Sequence, residues 1–255
     1  MSKIVMTQAL CAAGYEPLAQ EGPVYVANNG NPSEYLEELR DAQCVVVRIG
    51  RVNRAEMDAA PNLRVIGRPG IGYDSIDIAA ATERGIPVVI APRCNADSVA
   101  EHTLALMFAL ASNLVECHNE ALRGNFEIRN CGKMFELRGL TAGIIGLGDI
   151  GKRVGRLCRG LGMKLLAYDP YRSGAEVEAE GVRLCEDLSD LLAESDVVTV
   201  HTPLSQGTRG LLRLEELRRM KPTALLINCA GGASWTRRTW SGRCGRGPSP
   251  GRGWT

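Results

Sequence analysis

No apolar run in this 255-residue chain approaches the roughly 18 residues that a membrane-spanning helix requires. The opening residues Met1 to Val5 pass directly into a short apolar strand, without the longer apolar stretch and small-residue cleavage site of a secretory signal. The expectation is a cytoplasmic protein with no membrane partner. Cys-x-x-Cys pairs are missing as well. The nine cysteines are scattered singly, several of them (Cys44, Cys158, Cys229) inside apolar runs, so reduced, packed thiols are expected, with neither a disulfide framework nor a metal site. Histidine is scarce, at His102, His118 and His201. Acid is absent from the last stretch: residues 231–255 hold five Arg and no Asp or Glu, so the net charge of +1 leaves −4 on the rest. A mildly acidic body argues against nucleic acid as a partner.

What is present is an alternation of short β-branched runs with helical stretches, the pattern of parallel sheets covered by helices on both faces, so an α/β fold is expected. Strands are predicted at 3–6, 24–27, 44–48, 65–67 and 88–91, with helical stretches at 53–61 and 76–85 among them. The character changes near 92–97. From Ser98 to about Arg123 the chain is rich in Ala and Leu and free of Gly and Pro, which predicts one linking helix roughly 35–40 Å long. A second alternating series then follows, with strands at 141–146, 164–169, 182–184, 197–200 and 224–228. Two domains are therefore expected, 1–95 and 96–230, followed by a compositionally different, disordered tail at 231–255.

The second series opens with Gly146-Leu147-Gly148-Asp149-Ile150-Gly151 between a strand and a helix, a G-x-G-x-x-G arrangement. In such a turn Gly146 permits the sharp bend, Gly148 lets the backbone approach a pyrophosphate, and Gly151 lets the helix lie close on its strand. The helix N-terminus then offers amide N–H groups to the phosphates. Eighteen residues past Gly151, at the end of the next strand, Asp169 can accept hydrogen bonds from ribose hydroxyls and repel a 2′-phosphate. NAD is expected over NADP, with Arg172 the one opposing feature. Asp169 could instead simply begin the Asp-Pro turn before Tyr171.

Three further stretches share the chain with this loop: Val65 to Asp77 with Pro92 to His102 after it, Val200-His201-Thr202-Pro203-Leu204 with Thr208 and Gly210-Leu211-Leu212, and Leu226 to Ala230. In order and spacing the whole resembles the D-2-hydroxyacid dehydrogenases, most nearly the members that act on phosphoglycerate. That resemblance implies a flavodoxin-like N-terminal substrate domain beside an incomplete Rossmann NAD-binding domain. It implies hydride transfer between NAD and C2 of a small 2-hydroxy or 2-oxo acid, 3-phosphoglycerate or 3-phosphohydroxypyruvate in the first instance, as in serine biosynthesis. A homodimer formed through the NAD domain is implied too. Backbone amides of Gly70, Ile71 and Gly72 would hold the substrate carboxylate, and Arg48, at the end of its strand, would reach a distal anionic group. Asp149 and Ile150 would supply amides to the pyrophosphate, Thr202, Pro203 and Thr208 would flank the adenosine side, and Cys229 and Ala230 would approach the nicotinamide side. His201 is read as a hydrogen-bonded structural group, and His102 and His118 as packing or surface residues.

The pattern breaks after Ala230. The family continues with Arg-Gly-Gly-Ile-Val-Asp, its Arg orienting the substrate, whereas this chain reads Gly231-Gly232-Ala233-Ser234-Trp235. No catalytic residue is therefore assigned, and low turnover is expected. Codons compatible with Ala233 to Trp240, regrouped after the first two letters, read Ile-Val-Asp-Glu-Ala-Asp-Leu, as a one-base frame change would leave. An alternative from another class is an NAD-binding dimerisation module of corepressor type, without catalysis.

Overall fold

The computed structural model describes residues 2–179, 181–230 and 253–254. By contact the chain divides into two units between Cys94 and Asn95. The expectations for residues 231–252, including the break in the family pattern, lie outside the described residues.

In the first unit the order is β1 Lys3–Met6, α1 Ala12–Glu21, β2 Val24–Val26, α2 Pro32–Tyr35, β3 Ala42–Val46, α3 Arg54–Asp58, β4 Val65–Arg68, α4 Ile78–Glu83 and β5 Val88–Ile90. The strands pair in parallel as β2-β1-β3-β4-β5, the flavodoxin-like order. Alternation along each strand feeds both faces. Val5, Val45 and Ile66 pack with Leu39, Met57 and Ala80 on one side, while Ile4, Met6 and Val46 meet Leu10 and Leu18 on the other. Local signals set the helix starts. The Asn53 amide donates to the Glu56 carboxylate at 2.7 Å, and the Asp77 carboxylate accepts the Ala80 amide at 2.9 Å.

The second unit runs α5 Ala96–Ala111, α6 Leu114–Leu122, β6 Thr141–Ile145, α7 Asp149–Gly160, β7 Lys164–Tyr168, α8 Gly174–Ala179, β8 Arg183–Leu184, α9 Leu188–Glu194, β9 Val197–Val200, α10 Leu214–Arg219, β10 Leu225–Asn228 and β11 Gly253–Trp254. Its sheet order, β11-β10-β9-β6-β7-β8, reverses direction at β6, as in a doubly wound Rossmann sheet. Ile144, Ala167, Val197 and Ile227 face Leu104 and Met107 of α5 and Val154 and Cys158 of α7. Ile145, Leu166, Val198 and Leu226 face Leu191 and Leu192 of α9 and Leu217 of α10.

Three expectations are corrected. The long linking helix is two helices, because Asn113 adopts φ 49°, ψ 38° and turns the axis by 59° between α5 and α6. Asn is among the few residues that tolerate the left-handed region, so a break needed neither Gly nor Pro. The Asn113 side chain also donates to Glu116 at 2.6 Å, fixing the new first turn. No single helix among the described residues is long and apolar enough to cross a membrane. Second, β3 ends at Val46, so Arg48 lies two residues beyond its strand rather than at its end. Third, the tail expected to be disordered is paired at residues 253–254: Gly253 and Trp254 join Leu226 and Ile227 along the outer edge of β10. Strand pairing runs through the main chain, so an unpaired edge can take an extended segment that lacks any apolar periodicity.

Candidate functional site

In the second unit the predicted cofactor residues collect at the carboxyl ends of the strands, around the point where the order reverses between β6 and β9. Gly146 follows β6 with φ 89°, a left-handed value that suits glycine, and its amide donates to the Tyr168 carbonyl at 2.9 Å. A Cβ on Gly146 would lie 2.8 Å from Thr202 Cγ2, and one on Gly151 would lie 2.1 Å from the Gly146 carbonyl oxygen. Helix α7 therefore sits close on the turn only because residue 151 has no side chain. Gly148 is different, since a Cβ there would meet nothing within 4 Å. The protein's own packing does not require glycine at 148, and the space above its Cα is where a ligand can touch main chain.

That space lies at the start of α7. The first intrahelical bond runs from the Lys152 amide to the Gly148 carbonyl at 3.0 Å, and the amides of Ile150 and Gly151 ahead of it donate to nothing among the described residues. Asp149 is exposed, and its carbonyl accepts Arg153 Nη1 at 3.0 Å, while Arg153 Nε pairs with Asp97 at 2.5 Å and ties the helix start to α5. Orphan amides at a helix N-terminus over an open glycine are a cradle for a diphosphate.

Asp169 follows β7 and makes the Asp-Pro turn considered for it in the sequence, together with a second bond that the sequence did not suggest. Its Oδ1 accepts the Tyr171 amide at 3.0 Å, closing the Asp-Pro turn, and its Oδ2 accepts the Leu147 amide at 2.8 Å, which fastens the glycine turn to β7. A carboxylate has about four acceptor positions, so two remain for ribose hydroxyls. Beside it a groove of about 420 Å³ is lined by Tyr168, Ser189, Arg209 and Arg213 among others. Thr202 is half-buried, with Oγ1 lacking any hydrogen-bond partner among the described residues. Pro203 and Thr208 sit on the loop after it. Thr208 Oγ1 donates to the Pro203 carbonyl at 2.6 Å and accepts the Ser205 amide at 2.8 Å, so its hydroxyl closes the loop rather than reaching outward. Cys229 and Ala230 follow β10, and the Ala230 amide donates to Asn228 Oδ1 at 2.9 Å. Asn228 itself is buried.

His201 follows β9 and is 9% exposed. Its Nε2 meets Thr199 Oγ1 at 2.9 Å, but Nδ1 has no partner among the described residues, so the group read as fully hydrogen-bonded is only half so. Burial pushes its pKa down to about 4, leaving the ring neutral at pH 7. His102 and His118 are exposed.

In the first unit Arg48, Gly70, Ile71 and Gly72 lie together around a residue to which the sequence reading gave no role. The guanidinium of Arg68 donates to the Gly72 carbonyl at 2.7 Å, to the Val47 carbonyl at 2.8 Å and to the Arg48 carbonyl, clamping the turn against the end of β3. The Gly70 amide donates to the Arg68 carbonyl at 2.8 Å, so one of the three amides expected to hold a carboxylate is already spent. Those of Ile71 and Gly72 donate to nothing among the described residues. The Arg48 side chain is exposed and donates to the Ala9 carbonyl at 2.5 Å, while its amide donates to buried Thr7. Clamping of this kind by Arg68 and Thr7 is set by tertiary contacts and leaves no spacing signal to read.

The profile described as "D-isomer specific 2-hydroxyacid dehydrogenase, NAD binding domain" matches residues 104–238, eight residues beyond Ala230. D-3-phosphoglycerate dehydrogenase of Methanocaldococcus jannaschii is 41% identical over 233 residues, covering 91% of this chain and 44% of that protein. The D-3-phosphoglycerate dehydrogenase of Archaeoglobus fulgidus is 41% identical over 227 residues, covering 85% and 43%. The chain thus spans less than half the length of these relatives. Among solved structures, the TT0316 protein of Thermus thermophilus superposes with a TM-score of 0.84 at 30% identity, covering 93% of this chain and 76% of that one. D-lactate dehydrogenase of Aquifex aeolicus, solved with NAD and lactic acid, superposes with a TM-score of 0.82 at 27% identity, covering 92% and 70%. The chain belongs to the D-isomer specific 2-hydroxyacid dehydrogenases, and its glycine turn, α7 and Asp169 lie within that family's NAD-binding domain.

Proposed function

We infer that this protein binds NAD across the carboxyl ends of β6, β7 and β9 and serves hydride transfer between the cofactor and C2 of a D-2-hydroxy acid. The open face of Gly148, next to the unspent amides of Ile150 and Gly151, carries this reading. The diphosphate rests on those amides, and Asp169 takes the adenosine ribose and disfavours a 2′-phosphate. Bound nicotinamide supplies the hydride acceptor. The Ile71 and Gly72 amides, held by Arg68, orient the substrate carboxylate. Arg48 suits a distal anion, and with the names of the two archaeal relatives it supports 3-phosphoglycerate and 3-phosphohydroxypyruvate as substrates, hence a place in serine biosynthesis.

Turnover is low in the chain as it stands, because position 231 is Gly where the family has the Arg that stabilises the developing alkoxide. Losing such a group typically costs about 10² to 10³ in rate. The regrouped codons support a one-base loss near codon 231 as its origin, which sequencing of the coding DNA across codons 228–235 tests directly. The chain pairs with a second copy through the second unit, where Leu114, Val115, Leu122 and Phe126 are exposed on and beside α6. Light scattering that returns a monomer mass at micromolar concentration refutes the pairing. The activity claim is tested by NADH oxidation with 3-phosphohydroxypyruvate, alongside NADH binding. The expected result is saturable binding with a rate at least about a hundredfold below that of the Methanocaldococcus jannaschii relative. A rate within tenfold of it contradicts the low turnover, and an absence of binding contradicts the cofactor assignment.

A further inference from the structure

Two consecutive residues at the carboxyl end of β9 hold buried polar atoms without partners among the described residues: Nδ1 of His201 and Oγ1 of Thr202. Buried polar groups are almost always paired, and leaving one unpaired costs more than an ordinary hydrogen bond returns. Both residues border the glycine turn. The main-chain amide of His201 donates to the Ile145 carbonyl at 2.8 Å, and Thr202 Cγ2 is the atom a Cβ on Gly146 would strike.

The protonation of the His201 ring follows from counting donors. Thr199 lies on β9 two residues before His201, and it is fully buried with Nε2 of His201 as the only partner of its hydroxyl among the described residues. If Nε2 carried the ring proton and donated to Thr199, the threonine hydrogen and the Nδ1 lone pair would both be stranded. If the threonine hydroxyl donates to Nε2 instead, the ring proton sits on Nδ1, and one donor alone is left over. The second arrangement strands fewer groups. The two ring nitrogens point to nearly opposite sides of a five-membered ring. With Nε2 occupied by Thr199, Nδ1 is the ring nitrogen left over at the carboxyl end of β9, the end of the sheet where the cofactor residues collect.

We propose that His201 presents Nδ1–H as a neutral hydrogen-bond donor to an oxygen of the bound dinucleotide, which makes it a positioning residue for the cofactor rather than a member of the core. The inference rests on the NAD reading above. A neutral donor holds an oxygen without adding charge beside the diphosphate or the nicotinamide, and its partner Thr199 locks the ring so that little rotational freedom is lost on binding.

Nitrogen-15 spectra of the imidazoles test this directly, since only three histidines are present. The expected spectrum of the NAD-free protein shows His201 protonated at Nδ1, with that N–H signal moving on addition of NAD. Calorimetry with NAD supplies the second readout. His201→Phe weakens binding about tenfold, the loss expected for one buried neutral hydrogen bond. His201→Asn restores most of it, because the asparagine amide nitrogen sits at the same distance from the backbone as Nδ1. His201→Gln, whose amide reaches the place of Nε2, does not. An Nε2-protonated ring, unchanged affinity in His201→Phe, or equal rescue by Asn and Gln overturns the proposal. If the unsubstituted protein binds no NAD, the reading of the glycine turn falls instead, so the two failures are distinguishable.

Discussion

Gly146, Gly148 and Gly151 look equivalent as letters and are not equivalent as atoms. The methyl group of Gly151→Ala would sit 2.1 Å from a carbonyl oxygen on the turn, with backbone on both sides of the contact. It should lower stability by about 1–3 kcal/mol in chemical denaturation, as forced overpacking does. Gly148→Ala meets no neighbour and should leave the denaturation midpoint unchanged while weakening NAD binding. His201 supplies a pH prediction of known sign. Its native pKa is about 4 against about 6.5 unfolded, so the unfolded chain takes the proton first as pH falls. Stability is complete above about pH 6.5 and declines toward pH 4, by about 2–3 kcal/mol from this group. The difference in unfolding free energy between the unsubstituted protein and His201→Asn should shrink by about that amount between pH 7.5 and 4.5; a constant difference shows that the ring is not desolvated.

Elements were legible where local chemistry speaks. All ten strands read from apolar runs are present, most within one or two residues, because β-branched runs between turn residues have few other folded solutions. The linking helix was misread for an equally physical reason. Ser112-Asn113 carries no helix breaker in the ordinary sense, yet asparagine's tolerance of positive φ is sufficient when packing favours a bend. Asn113→Val should therefore cost about 1–2 kcal/mol of stability, since a β-branched residue is strained in the left-handed region, while Asn113→Gly should cost much less. Equal destabilisation by both variants, measured by thermal unfolding, shows that the Glu116 hydrogen bond rather than the backbone holds the bend. The roles of Arg68, Thr7, Asn228 and Thr208 were invisible in the sequence because their partners are main-chain carbonyls and amides, which every residue has.

At the scale of the whole molecule, two parallel sheets follow from the alternation of strand and helix, and the strand order of the second unit places the glycine turn, Asp169 and Thr202 on one edge. Spacing alone singled out Gly146 and Gly151, whose close packing requires glycine, and Asp169, which makes the turn after β7. It could not show that Asp169 fastens the turn through Leu147, or that the Gly70 amide is already engaged. The central claim is that the main chain over Gly148 receives the diphosphate of NAD. Its most direct test is calorimetric titration of NAD into the unsubstituted protein and into Gly148→Ala at equal folded concentration. One saturable site that weakens at least about tenfold in the variant, with no change in unfolding midpoint, is the predicted outcome. Equal affinity in the two proteins contradicts it.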